Sequence, residues 1–486
     1  MNKIKFKNVF FNIIVWAAVI LLGAIVLCGS FKSGPSMLKL PFYSGIVFLL
    51  AGSAFIFICL KLNPLSKINN IIFLTILLLL ALLPRLLWIY YVQTQPYSDF
   101  LHMHDYGVSV SHGDFKGFVD FYAAFPFKIG FGMILGGLYH IFGPGILVAK
   151  LFNVFLSVLL VFIIYKGGKM LYGIKAGRIS GLLAALWPAD IMYGSVIASE
   201  HLFLVLFTGA LLLSLGFLKK YTYKNYKISN GNLLIISIGL LTAAAQLIRP
   251  MAMLVLPVFT VFVLIYKRYR ANTVESITLN FKSIILMVTC YVVAINLINQ
   301  PLQTLSGVDA SRSDAGFNLM IGTNFKSNGM YNNEDFSIIE KNNFDIDKIH
   351  NEAKQIAFER ITNNPEKLPR LFLKKFEILW GNENYGYYWS TISSGSSPAE
   401  AKIKSYPRLF YGASQGFYIL ILMMSIGTCL YSLREKQYDS LIILMVFGGI
   451  FLSYMLLEVQ SRYHLPVMPL LIIFSTGFLS GNNKYD

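Results

Sequence analysis

Acidic side chains are scarce in this 486-residue sequence: 24 Asp and Glu stand against 41 Lys and Arg, and the four types together make up only 13% of the chain. A soluble domain carries about 25%, so there is too little charge here to cover the surface of one. Cysteine is rarer still. Cys28, Cys59, Cys290 and Cys429 lie within or at the end of apolar runs, with neither paired nor metal-ligand spacing, which argues against a disulfide framework and a thiolate zinc site. No glycine-rich loop of the phosphate-cradling kind occurs, so nothing points to a cytosolic nucleotide substrate. Internal repeats are also lacking, which weakens a transporter reading, since many transporters are built from repeated halves.

What is present is apolar: 56% hydrophobic and 15% aromatic residues, with a mean hydropathy of +0.60. Runs such as Val9 to Leu27, and Ile71 to Leu83 continuing to Val92, each suffice to cross ~30 Å of hydrocarbon as helix, which predicts an all-α integral membrane protein. The first run is too long for a signal-peptide core, and Leu27 precedes Cys28 where lipoprotein processing wants a small residue, so it is expected to be a retained helix. The formal charge of +17 is spread in short basic clusters between apolar runs. Such clusters read as topology signals, with no nucleic-acid partner implied.

With Lys3, Lys5 and Lys7 assigned to the cytoplasm, about twelve crossings are expected, near 9–29, 41–60, 71–93, 147–165, 179–197, 201–218, 233–248, 250–266, 283–300, 409–431, 438–457 and 465–480. Each short basic cluster then falls inside, including Lys61 and Lys67, Lys219 to Lys227, and Lys267 to Arg270. The stretch 121–145, broken by Pro126 and several glycines, is expected to be interfacial or re-entrant, because a full crossing would turn Lys166, Lys169, Lys175 and Arg178 outwards. The implied organisation is an N-terminal helix pair (1–70), a transmembrane core (71–300) with its first outer loop at 94–128, an outer segment (301–407) and C-terminal transmembrane helices (408–486). Two helices are expected in the outer segment, one from near Asp347 to the "NNP" at 363–365 and an amphipathic one over 366–380. Lys375 points into the middle of the apolar stripe of the second, where a cation needs an anion or an escape to water.

The chemistry-bearing residues concentrate at the outer boundary. "PYSDFLHMHDYGVSVSHGDF", Pro96 to Phe115, crowds together Asp99, His102, His104, Asp105, His112 and Asp114. The one-residue gap between His102 and His104 suits neither a helix face nor a zinc signature, so no cofactor is required; a divalent ion shared by acids and a phosphate stays open but is not favoured. Asp99, Glu200, Arg249 and Arg462, far apart in sequence, all fall at one membrane depth, where a lipid-linked substrate presents its head group. Each has a structural alternative: Asp99 and Asp105 as helix caps, Glu200 as a first-turn acid, Arg249 and Arg462 as interfacial anchors with Glu458 near Arg462, and Arg85 as a buried partner for an outer-loop acid.

The order "SDFLHMHDYGVSVSHGDF", "FYAAFPFKIGFGMILGGLYHIFG", "LWPADIMYGSVIASEHLF", "LIRPMAML", "GTNFKSNGMYNNED" and "SRYHLPVMPLL", over about residues 71–480, resembles the GT-C superfamily of membrane glycosyltransferases. The nearest branch is the bacterial relatives of protein O-mannosyltransferases and aminoarabinose transferases. The resemblance implies a GT-C-type multi-helix bundle, a sugar donor on polyprenyl phosphate, inversion at the anomeric centre and Asp99 as the catalytic carboxylate. Phe100 follows Asp99 where many members carry a second acid. Sugar transfer also asks for cations around the leaving phosphate, a role suited to Arg462, Arg249, Lys375 and Arg85, while Glu200 would position sugar or acceptor and Asp105, Tyr106 and Tyr463 would lie on the acceptor side. The acceptor implied is a hydroxyl on an envelope glycan, lipid or protein, outside the cytoplasmic membrane. A lipid-linked polysaccharide polymerase and a flippase are the competing readings; a flippase should set its polar residues near the bilayer midplane.

Overall fold

The computed structural model describes residues 3–41, 44–61, 68–220, 228–264 and 274–479. Lys67, Lys224, Lys227, Lys267, Arg268 and Arg270 lie outside the described residues. Apart from an isolated bridge between Thr94 and Ser394, the described residues form helices and the turns between them.

Among the described residues, eight helices are long and apolar enough to cross a membrane: Asn8–Leu38, Asn70–Tyr91, Ile146–Tyr172, Glu200–Lys219, Phe281–Ser306, Pro407–Glu435, Tyr438–Leu456 and Ser461–Leu479. Three shorter apolar helices, Gly45–Ile58, Gly231–Gln246 and Pro250–Phe262, lie beside them. The chain is an all-α, multi-pass membrane protein. Its first helix is tied into the C-terminal ones: Gln415 Nε2 donates to the Gly29 carbonyl at 3.1 Å and the Tyr438 hydroxyl to Asn8 Oδ1 at 2.6 Å.

The run 179–197 is not a continuous helix but Ile174–Ala185, a break at Leu186 and Trp187, then the single turn and a half Pro188–Tyr193. Pro188 supplies no amide hydrogen and pushes Trp187 out of the helical region, to φ −65 and ψ 105. Breaking a helix inside a bundle strands its last carbonyls. Arg85 takes them up: Nη1 donates to Ala185 O at 3.1 Å and Nη2 to Ala184 O at 3.3 Å.

The stretch 121–145 folds as Val119–Ala124, the 3-10 turn Pro126–Lys128 and the helix Ile129–Phe142. Fourteen residues of helix reach only about 21 Å, short of the hydrocarbon thickness. This helix lies against Asp99–Ser111, and glycine allows the close approach: a Cβ on Gly136 would sit 2.3 Å from Val110 Cγ1, and one on Gly132 2.5 Å from Tyr106 Cδ1. The two expected helices of the outer segment are Ile346–Asn363, capped by Asp345 accepting from the Asp347 and Lys348 amides, and Leu368–Trp380. Lys375 does not reach water from the second of these; it is 0% exposed.

Candidate active site

Three charged residues from three parts of the chain meet at helix breaks. Glu200 opens the helix Glu200–Lys220, where the N-terminal dipole favours an acid. Arg249 is extended, at φ −151 and ψ 127, because Pro250 follows and starts a new 3-10 turn. Arg462 lies in the 3-10 segment Ser461–Val467 ahead of Met468–Ser475. Irregular backbone at membrane depth persists only where protein buries it or a cavity faces it.

Glu200 Oε1 is the hub. It accepts from the Tyr193 hydroxyl at 2.9 Å, pairs with Arg249 Nη2 at 2.6 Å and lies 3.9 Å from Arg462 Nε. Arg462 is 7% exposed, with its guanidinium over the rings of Trp389 at 4.7 Å, Phe100 at 5.1 Å and Tyr463 at 5.7 Å. Two guanidiniums therefore share one carboxylate, which leaves positive charge over. Arg462 Nε and Nη1 and Arg249 Nε are buried without a hydrogen-bond acceptor. Glu458 is a poor counter-ion: burial pushes its carboxyl up, against the opposing pull of Gln460 and Arg462, and its Oε1 accepts from Gln460 Nε2 at 3.0 Å and the Tyr463 hydroxyl at 3.2 Å.

Asp99 borders this cluster through its neighbour Phe100. It is the first residue of its helix, and Ser98 before it holds φ 55 and ψ −134, a region that favours glycine. Asp99 Oδ2 accepts from Lys128 Nζ at 2.9 Å, while 38% of the side chain stays open. Burial works to raise its carboxyl, but Lys128, with smaller help from Arg462 and His102, holds it below the ordinary carboxylate range. Asp99 is thus ionised at neutral pH and half-open to a reactant. Lys128 itself is caged by aromatic faces, 4.3 Å from the Phe125 centroid and 5.1 Å from that of Phe121. Tyr331, from the "GTNFKSNGMYNNED" loop, joins the same field: its phenol is pushed up first by burial and then by Asp99 and Glu458.

Other expected site residues are placed differently. Arg85, expected at the phosphate, has all three of its nitrogens engaged within the protein: Nε with Ser157 Oγ at 2.6 Å, Nη1 with the Ala81 and Ala185 carbonyls, and Nη2 with Ala184 O and Asp190 Oδ2 at 2.7 Å. Lys375 is likewise engaged within the protein. Its Nζ donates to the Gly322 carbonyl at 2.8 Å and its stem packs on Gly329, so it fastens the 322–331 loop; burial lowers its pKa to about 7, with Glu458 acting the other way. Tyr106 is turned inward, its hydroxyl donating to Phe115 O at 3.0 Å, and Tyr463 supports Glu458 and Arg462. Asp105 is half-buried on the same helix as Asp99, six residues on and so on another face.

The remaining residues of the first loop do local work. Asp114 shapes a turn through Ser109 Oγ and the Lys116 and Gly117 amides. His102 stacks on Phe121 at 4.3 Å, His104 Nδ1 lies 2.7 Å from the Tyr139 hydroxyl, and His112 and His140 face the Val108 and Ser111 carbonyls. Among the described residues no group of three His, Cys, Asp or Glu is arranged to hold a metal ion.

Lys128, Trp389 and Asp190 were not singled out in the sequence. The only trace of Lys128 is a cation directly after two aromatics and a proline in "FPFK", and of Asp190 an acid beside the proline break in "LWPAD".

The sequence matches no protein-family model and no curated protein. Among solved structures, the oligosaccharyltransferase AglB from Archaeoglobus fulgidus, in complex with an inhibitory peptide and a dolichol-phosphate, is similar at 12% identity over 84% of this chain and 50% of that one, with a TM-score of 0.46. ArnT from Cupriavidus metallidurans bound to undecaprenyl phosphate is similar at 11% identity over 84% of this chain and 76% of that one, with a TM-score of 0.30. The chain spans about half the length of the oligosaccharyltransferase.

Proposed function

We propose that this protein is an inverting membrane glycosyltransferase of the GT-C type, moving a sugar from a polyprenyl-phosphate donor to a hydroxyl acceptor on the outer face of the cytoplasmic membrane. The observation that carries the reading is the Arg462 guanidinium. It is buried between aromatic faces, shares Glu200 with Arg249, keeps Nε and Nη1 without acceptors, and stands beside an ionised Asp99. A buried cation left over after internal pairing wants an anion, and a phosphate offers the bidentate oxygens a guanidinium fits. The motif order from "SDFLHMHDYGVSVSHGDF" to "SRYHLPVMPLL" supports the same class.

In this mechanism Arg462 and Arg249 hold the donor phosphate at the surface where its polyprenyl chain lies in the bilayer. The acceptor hydroxyl approaches Asp99, which takes its proton as the oxygen bonds to the anomeric carbon from the face opposite the phosphate. The bond from that carbon to the phosphate oxygen breaks, the electron pair leaves with polyprenyl phosphate, and the arginines stabilise the added charge. Glu200 keeps the two guanidiniums oriented rather than meeting the sugar. Lys128 must yield Asp99 Oδ2 or share it with the incoming hydroxyl, while its positive charge keeps the base ionised in the resting enzyme. The acceptor lies on an envelope glycan, lipid or protein, and no divalent metal enters the scheme.

The test is transfer in reconstituted vesicles from polyprenyl-phosphate sugars made by the host membrane. Asp99→Asn keeps size and hydrogen bonding but removes the base, so transfer should fall by about 10²-fold or more while binding of polyprenyl phosphate persists. Asp105→Asn should change little. Equal losses in both variants, restored by a divalent metal, would replace the base mechanism with a metal site. A lipid-linked polysaccharide polymerase would instead give chain-length changes in an existing polymer and no loss of a single-sugar decoration.

A further inference from the structure

A cation sits in a second place, away from the arginine cluster, that sugar transfer does not use. Lys150 is on the first turns of the Ile146–Tyr172 helix, is only 3% exposed, and makes no ion pair or hydrogen bond among the described residues. It lines a cavity of about 400 Å³ together with Gln93 and Gln95, and the wall is apolar, from Leu86, Ile89 and Leu147. The carboxylate within electrostatic reach, Glu400, is already bound to the Gln93 amide at 2.6 Å and the Ser397 amide at 3.1 Å. The ammonium opens into the cavity with its stem buried, and with no free carboxylate facing it the cavity favours an anionic guest.

The surroundings say what kind of anion. Leu83 and Leu87 on one helix and Leu151 and Phe155 on the other are exposed by 54%, 55%, 44% and 61%, forming apolar strips that lead away from the cavity along helices that cross the membrane. The start of the Ile146–Tyr172 helix adds the positive end of its dipole beside Lys150. The glutamine amides are partly engaged, Gln93 Nε2 with the Tyr90 carbonyl at 2.8 Å and Gln95 Nε2 with Gln93 O at 3.2 Å, which keeps them in place at the rim. We propose that this cavity binds the phosphate head group of an anionic bilayer phospholipid, with its acyl chains lying along the 70–91 and 146–172 helices. The site is separate from the donor site and does not depend on the glycosyltransferase reading. A net-anionic head group is favoured over a zwitterionic one because the cavity offers a cation and no free carboxylate.

The experiment uses the full chain, delipidated in detergent, titrated with phosphatidylglycerol, phosphatidylcholine and inorganic phosphate, with bound lipid counted by native mass spectrometry. The wild type should hold one phosphatidylglycerol at least ~10-fold more tightly than Lys150→Leu does, the size expected for losing a hydrogen bond to a charged group. Leu147→Trp, which keeps the lysine and fills the mouth of the cavity, should weaken the same lipid while leaving the fold intact by circular dichroism. Equal affinity for phosphatidylglycerol in wild type and both variants would overturn the proposal. So would equal binding of phosphatidylcholine, or inorganic phosphate competing as well as the lipid.

Discussion

Replacing Arg462 with Met tests the reading at its strongest point. In the resting protein the change removes a cation whose contacts are ring faces and a carboxylate 3.9 Å away, while Glu200 keeps Arg249 at 2.6 Å and the Tyr193 hydroxyl. Glu200 therefore stays neutralised, and the loss to folding is confined to cation–π contacts of about 0.5–2 kcal/mol each, part of which the Met side chain restores by packing. Binding is hit harder. The two nitrogens without acceptors, Nε and Nη1, are the groups that would bond phosphate oxygens. Two hydrogen bonds from a charged donor are worth about 3–6 kcal/mol together, or roughly 10²- to 10⁴-fold in affinity. Arg462→Lys should recover only part of this, because an ammonium keeps the charge but not the fork. The assay is competition of undecaprenyl phosphate against a fluorescent polyprenyl phosphate on the purified protein, with thermal unfolding measured in parallel. Undecaprenyl phosphate binding to Arg462→Met as to wild type, with both variants folded, would refute the assignment of Arg462 to the donor phosphate.

Arg85→Met takes the arginine from buried Asp190, leaving it Ser157 Oγ and His201 Nδ1 at 3.7 Å, and strands the Ala185 carbonyl, so it should destabilise the protein by about 3–5 kcal/mol, with Arg85→Met/Asp190→Asn less damaging than the first change alone in thermal melts. Because the Lys375 pKa is lowered in the folded protein to about 7, the unfolded chain holds a proton that the folded one gives up between there and its ordinary value. Stability should accordingly rise with pH across that window, by no more than about 1.4 kcal/mol per pH unit, and Lys375→Met should lose this dependence without changing undecaprenyl phosphate affinity. Single-cysteine labelling of intact cells on a cysteine-free background should mark position 99 and spare position 220; an impermeant reagent that labels 220 and not 99 would invert the topology.

The class of this protein was legible in composition and run length, because a helix that must satisfy its own backbone in hydrocarbon needs about twenty apolar residues, and those can be counted. The amphipathic 366–380 helix and the breaking of the 121–145 stretch into short helices were readable for a similar local reason: periodicity and glycine or proline content act within a turn or two of chain. Asp99, Glu200, Arg249 and Arg462 could be singled out as charges at the ends of apolar runs. What the sequence could not reveal was how they are paired. Arg85 and Arg462 look alike as arginines near apolar runs, yet one is saturated by carbonyls exposed when Pro188 breaks a helix about a hundred residues later, and the other has nitrogens to offer. Lys375 was visible as a breach of its stripe, but the Gly322 carbonyl that accepts its hydrogen bond comes from a different element. Lys128 carried almost no signal, since its meaning lies in a carboxylate 2.9 Å away on another helix. Hydrophobic pattern reports which face of a helix leaves water; which donor meets which acceptor is decided only when helices distant in sequence pack, and in this site those contacts determine the charge left for a substrate.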